Sequence, residues 1–248
     1  MRKLFYQFGL LVVAGLFLVT CGVRVEVVPR DHVAIREARE ARLAQEAEAR
    51  AAQAELEAAL ALAAVTDEGV VISGVRWATR NVDAPGTFAL TPESSGLFFQ
   101  WNRQQGWPAT GDVTNWNTEH EGRRNWHRTT DPCPAGWRIP TREEFQSLLD
   151  SGSEWVTRHD VSGWLLGASH GQVFLPSVGF RSTPDGRHHT TAQGHGGYWI
   201  NESSIGVNRS NSIRFNSTRI EVSNSGSNEG LNVRCVAIDE QPATRTRN

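Results

Sequence analysis

Cys133-Pro134-Ala135-Gly136-Trp137-Arg138-Ile139-Pro140-Thr141 is the stretch on which the reading of this chain turns. Its two prolines have a fixed φ, so they constrain the path on either side of Trp137. Thr141 is followed three residues later by Glu144, the signature of a capping box, and the spacing predicts a helix beginning there. Phe145, Leu148 and Leu149 give that helix one apolar face, and Gly152 closes it. Cys133 therefore sits at a defined place just ahead of a helix.

Outward from this stretch the chain reads mainly as short strands. Val70 to Trp77 holds two apolar runs around Gly74, a strand–turn–strand pattern, and Leu97 to Trp101 is a further strand. Between Asn102 and Asp131 polar residues mix with Gly, Pro and Trp, which suggests long loops pinned by buried indoles. Downstream, Phe174 and Leu175, Tyr198 and Trp199, Ile213 and Phe215, Ile220 and Val222, then Leu231, Val233 and Cys235 fit strands. The last three groups alternate with polar residues, as half-buried antiparallel strands do. Strands outnumber helices and no βαβ rhythm appears, so the expected class is α+β. All nine Trp lie between Trp77 and Trp199, enough aromatic surface for a sizeable core.

The N-terminal quarter differs. Arg2 and Lys3 precede an apolar run from Leu4 to Val19 that is shorter than the roughly 20 residues of a spanning helix. The run ends in Leu18-Val19-Thr20-Cys21, which is similar to a bacterial lipobox, with Thr20 where a smaller residue is usual. Residues 1–21 are expected to be a lipoprotein signal ending at a lipidated Cys21; the other reading is an uncleaved anchor. Both export the rest of the chain into the cell envelope. Residues 22–69 form a linker and stalk, because Val33 to Ala64 is rich in Ala, Glu, Arg and Gln without Gly or Pro. Asp31 can cap this helix. Its large apolar residues, Val33, Ile35, Leu43, Leu56, Leu60 and Leu62, hold no clean heptad. A coiled coil that makes a homo-oligomer and a solvated spacer helix both stay open.

Of three cysteines, Cys21 belongs to the signal. An oxidising location then leaves Cys133 and Cys235 to bond, or to remain two buried thiols. The globular domain is expected over 70–238, with 239–248 a disordered tail.

The set Trp77-Ala78-Thr79-Arg80-Asn81, the Cys133–Thr141 stretch, Gly197-Tyr198-Trp199, Phe215-Asn216-Ser217 and Val233-Arg234-Cys235-Val236 resembles the Fibrobacter succinogenes major paralogous domain. The resemblance spans about 70–238. It implies a C-type-lectin-like fold, related to the formylglycine-generating-enzyme fold, carried on an exported lipoprotein. In part of that wide fold group a diversity-generating retroelement varies the residues before a terminal motif like Val-Arg-Cys-Val.

Net charge is −2, which gives no broad basic field for nucleic acid. Fourteen of the thirty residues from Asn201 to Gly230 are Asn or Ser, so most of that stretch is expected outside the core. The candidate ligand-binding face is Asn201, Asn208, Arg209, Asn211, Arg214, Asn216, Arg219, Glu221, Asn224 and Asn228, with Trp199 as an exposed aromatic platform. Its partner would be a protein or a glycan. The bland reading is a set of hairpin turns. His188, His189 and His195 lack further ligands at zinc spacing and read as surface histidines. Neither Glu-Pro-Asn nor Trp-Asn-Asp, the calcium–sugar segments of C-type lectins, occurs. No cofactor is expected. Formylglycine-generating enzymes need a cysteine pair late in the domain, and only Cys235 stands there. No nucleophile–base or paired-carboxylate pattern is legible, so catalysis is not expected.

Overall fold

The computed structural model describes residues 31–190, 194–203 and 208–238. The expected signal with Cys21, and the expected tail beyond Ile238, lie outside the described residues. Among those described, no helix is long and apolar enough to cross a membrane.

The first element is α1 (His32–Val65), 34 residues long. Asp31 Oδ1 accepts from Val33 N and Ala34 N at 3.1 and 3.2 Å and so satisfies two of the orphan donors at its start. Arg42 donates to Glu46 at 3.0 Å one turn on, and Arg50 lies 4.0 Å from the same carboxylate. Val33, Ile35, Leu43, Leu56, Leu60 and Leu62 of the helix are exposed in the single chain.

The chain divides into two compact units, one ending at Ala51 and one starting at Ala52. The last turns of α1 fall in the same compact unit as the strands. The cause is at the helix C-terminus, where carbonyls lack partners. Arg80 Nη1 donates to Ala63 O at 2.9 Å, Arg80 Nη2 donates to Thr66 O, and Phe88 N donates to Ala64 O at 2.5 Å.

The head contains β1 (Val70–Ile72), β2 (Val75–Asn81), β3 (Phe98–Gln100), β4 (Gly106–Trp107) and β5 (Trp137–Arg138). Then come α2 (Arg142–Asp150), β6 (Ser153–Arg158), β7 (Val161–Ala168), β8 (Gly171–Pro176), β9 (Phe180–Ser182) and β10 (Arg187–His189). It closes with β11 (Gly196–Ser203), β12 (Arg209–Phe215), β13 (Ile220–Gly226), β14 (Gly230–Leu231) and β15 (Arg234–Ala237). The strands form four antiparallel sheets, ordered β1-β2-β15-β5, β10-β9-β14-β3-β4, β11-β12-β13 and β6-β7-β8. The class is α+β. The first sheet ties the two ends of the head together, since β15 lies between β2 and β5.

Cys133 and Cys235 are bonded, with Cα atoms 6.1 Å apart. Cys235 lies at the edge of a cluster holding Trp101, Trp126 and Trp199, whose ring centroids are 5.0 to 6.4 Å apart. A second cluster packs Phe145 and Leu148 of α2 against Leu166, Val173, Leu175, Tyr198, Ile213 and Phe215. Sheet β11-β12-β13 stands between the two, with Tyr198 in one cluster and Trp199 in the other.

Two arginines are buried in this frame. Arg181 donates to the carbonyls of Pro108, Gly186 and Gly111 at 2.6 to 2.9 Å and pins the loop after β4. Arg234 donates to Asn81 Oδ1, Ala78 O and Phe174 O at 2.6 to 3.2 Å and joins β15, β2 and β8.

The capping box forms as the sequence predicts: Thr141 Oγ1 accepts from Glu144 N at 3.3 Å, and Glu144 accepts from Thr141 N at 2.7 Å. Burial pushes the Glu144 carboxyl up, but the Arg138 fork at 2.8 and 2.6 Å and the Thr141 N–H outweigh it. The carboxyl is held below its ordinary 4.5. A group depressed in the folded state adds stability above its unfolded value, and that stability is lost as pH falls through the folded value. Glu144→Gln is therefore expected to flatten the acid limb of the stability profile. Denaturation midpoints of parent and variant that fall in parallel from about pH 6 to about pH 3 would refute this.

Candidate functional site

β12 decides which polar residues of the Asn/Ser-rich segment reach solvent. Residues 211, 213 and 215 share one face of a strand because side chains alternate. Ile213 and Phe215 enter the α2 cluster, so Asn211 turns inward with them. It is 6 % exposed and its Nδ2 donates to Glu202 Oε2 at 3.1 Å. This corrects the expectation that Asn211 projects outward.

Trp199 is also corrected. It is fully buried and donates from Nε1 to Phe99 O at 2.6 Å, because both faces of its sheet are covered. It is no aromatic platform. Asn228 is 5 % exposed, and its Nδ2 donates to Thr118 O at 2.9 Å.

Other polar residues of the segment fasten the backbone. Asn201 Oδ1 accepts from Trp126 N at 2.7 Å. Asn216 Oδ1 accepts from the N–H groups of Thr218 and Arg219 at 2.9 and 3.0 Å and closes the β12–β13 hairpin. Ser212 and Ser225 hydroxyls meet at 3.0 Å in the interior, and Ser227 Oγ accepts from Glu121 N at 3.1 Å. Much of the Asn and Ser content is thus turn and network chemistry. Asn208 and Arg209 are exposed, and Arg209 folds onto Asn224, donating to its Oδ1 and its carbonyl at 2.6 Å each. Asn208 has φ +76, the left-handed region that Asn tolerates.

Four of the expected residues do converge. Arg214, Asn216, Arg219 and Glu221 line one cleft of about 140 Å³ with Phe180 and His195. Arg214 lies on the Phe180 ring, 4.0 Å from its centroid, and its Nη2 is 3.6 Å from Glu229 Oε2. Phe180 also stacks with His189, with ring centroids 5.1 Å apart. Burial lowers the Arg214 pKa, Glu229 opposes the shift, and the guanidinium stays charged. Arg219 and Glu221 form an exposed ion pair at the mouth.

No family model, curated protein or solved structure matches the chain. The cleft must therefore be read from its own chemistry.

That chemistry is recognition by charge and hydrogen bonds. The cleft presents two guanidiniums, one carboxylate, an amide and an imidazole beside the rings of Phe180 and Phe215. His188 and His189 lie on β10 and are tied into the fold: His188 Nε2 donates to Val178 O at 2.8 Å, and His189 Nε2 lies 2.5 Å from Ser182 Oγ. Burial keeps the His188 pKa below its ordinary value, opposed by the Val178 bond. Among the described residues no group of three His, Cys, Asp or Glu side chains gathers as for a metal. Sequence reasoning missed Phe180 as the partner of Arg214. Only the tertiary fold brings β9 against β12, and nothing in the local pattern signals it.

Proposed function

We propose that the head is a ligand-recognition module displayed on the cell envelope by an N-terminal lipid, with the Arg214–Arg219–Glu221 cleft as its contact site. The observation that carries this reading is the convergence of Arg214, Asn216, Arg219 and Glu221 around one cleft. Its volume is below the roughly 300–1,000 Å³ of pockets that engulf a small molecule. It suits the tip of a larger partner, such as one sugar unit of a glycan or one side chain of a protein. The paired strands β12 and β13 hold these side chains on a rigid support, as a binding site requires.

A C-type-lectin-like fold of the Fibrobacter succinogenes major paralogous type is the architecture we favour for the head, on the motifs quoted above. The helix supplies a spacer, and oligomerisation through it would multiply weak contacts. A structural envelope protein without a specific ligand is the competing reading.

Glycan and surface-protein arrays test the site. Arg214→Ala with Arg219→Ala is expected to weaken any captured ligand about tenfold or more, as loss of interface arginines does. Equal binding by parent and variant would place the site elsewhere. The retroelement version has its own test in the DNA. It requires a near-identical repeat of the coding segment ending at Cys235, differing mainly at adenines. Absence of that repeat rejects diversification and leaves a fixed site.

A further inference from the structure

Residues 123–128 read Arg-Arg-Asn-Trp-His-Arg, inside the long loop between β4 and β5. Such a segment would ordinarily lose charged side chains to solvent in many conformations. Here its backbone is fastened to the interior at successive points. Trp101 Nε1 donates to Arg123 O at 3.2 Å. Trp126 N donates to Asn201 Oδ1 at 2.7 Å, and Trp126 Nε1 donates to Thr130 O at 2.8 Å. His127 N and Thr130 Oγ1 both donate to Asn102 Oδ1, at 2.7 and 2.6 Å. Trp126 itself is buried beside Trp101 and Trp199.

With Trp126 turned inward, its neighbours turn outward. Arg123, Arg124, Asn125, His127 and Arg128 are all exposed. Arg123 has a loose contact with Glu121 at 3.8 Å, while Arg124 and Arg128 make no ion pair among the described residues. The stretch from Arg123 to Arg128 can span no more than about 20 Å of chain. Three guanidiniums are thus carried within six consecutive residues of a fixed loop, with the Glu121 carboxylate beside Arg123.

We propose that this loop is a second binding surface, separate from the cleft, for an anionic polysaccharide. A guanidinium offers a planar fork that matches carboxylate and sulfate oxygens. The pinned backbone lowers the ordering cost of binding. The surroundings select the class of partner. Gly122, Asn125, His127 and Thr129 are the other exposed residues between 122 and 129, and none is aliphatic. A protein partner would want an apolar centre to bury. A bilayer would gain from an exposed apolar or aromatic anchor, and single-stranded nucleic acid from an exposed ring for base stacking. The one indole of the segment faces the core, and the exposed His127 imidazole is hydrogen-bonded to Thr129 Oγ1 at 2.8 Å, so no large ring is presented for stacking. A flexible polyanion needs only the charges and hydrogen bonds that the loop presents.

Binding of the intact chain to alginate, polygalacturonate, dextran sulfate and neutral dextran tests this. The first two carry carboxylates and the third sulfates, so the arms also identify the anion. Parent protein is expected to bind at least one anionic polymer, more weakly as salt rises, and not neutral dextran. Changing Arg123, Arg124 and Arg128 together to Gln is expected to weaken that binding about tenfold or more. Arg142→Gln with Arg187→Gln, which removes charge from exposed positions elsewhere, is expected to leave it within about twofold. Binding that is lost in the cleft pair Arg214→Ala and Arg219→Ala but kept in the loop variant would place the polymer in the cleft and overturn the loop, so failure of the cleft and failure of the loop give different results. An unchanged melting temperature in the triple variant shows that the fold is intact. No binding to any anionic polymer, or equal loss in the Arg142/Arg187 control, overturns the proposal. So does preference for phosphatidylglycerol vesicles or single-stranded DNA over every polysaccharide.

Discussion

Arg234→Leu is expected to remove most of the stability of the head. The guanidinium has no exposed surface, and no carboxylate lies within ion-pair distance among the described residues. Its charge is met instead by oxygen dipoles, through bonds to Asn81 Oδ1 at 3.1 and 2.6 Å, Ala78 O at 3.2 Å and Phe174 O at 3.0 Å. Burial lowers its pKa, with Tyr198 and Asp67 opposing, yet an arginine stays charged. Leucine would strand those three acceptors in the interior, at about 1–3 kcal/mol for each one left unpaired. The total reaches the scale of a whole domain's stability, roughly 5–15 kcal/mol. Arg234→Lys keeps the charge but loses the fork, so it should fall between parent and leucine variant. Urea denaturation measures the series. A leucine variant within about 1 kcal/mol of the parent would show that the network contributes little.

Cys133→Ala should be the next largest loss. The bond joins residues 102 apart in sequence and closes a loop that holds every element from β5 to β14. Closing a loop of that length is worth about 4.7 kcal/mol by chain entropy, and native disulfides typically contribute about 2–5 kcal/mol. At about 2–4 °C per kcal/mol for a domain of this size, the melting temperature should drop by roughly 5–15 °C. The parent treated with reductant should show the same shift, and the variant no further response. A variant that melts with the oxidised parent would remove the disulfide as a source of stability.

The elements with strong local signals were legible. Thr141 and Glu144 specify a helix start through atoms three residues apart, and the capping box is where they predict it. Ser73 and Gly74 turn the β1–β2 hairpin with φ of 51° and 84°, as Gly74 suggested. The β6–β7 hairpin was not legible. Its turn residues, His159 and Asp160, both take positive φ, at 46° and 64°. Asn-Gly or Asp-Gly usually marks such a turn, and His-Asp does not. The candidate face was half legible. Composition marks the segment as polar but does not say whether each amide meets solvent or a buried N–H.

By itself the sequence determined the antiparallel α+β character, the long capped helix, the helix after Pro140 and the cysteine pair available to bond. Each rests on neighbours within a few residues, or on a count. The tertiary structure alone decided which polar side chains are inside. Asn211 and Trp199 are buried because sheet β11-β12-β13 is packed between the two clusters, and Asn228 because the turn before β14 packs against the loop at Thr118. Arg214 stays at the surface because Phe180, from a different sheet, lies beneath it. Arg123, Arg124 and Arg128 face outward because Trp126 between them fills a gap among other indoles. Such facts depend on what lies across the sheet, and no local pattern records that.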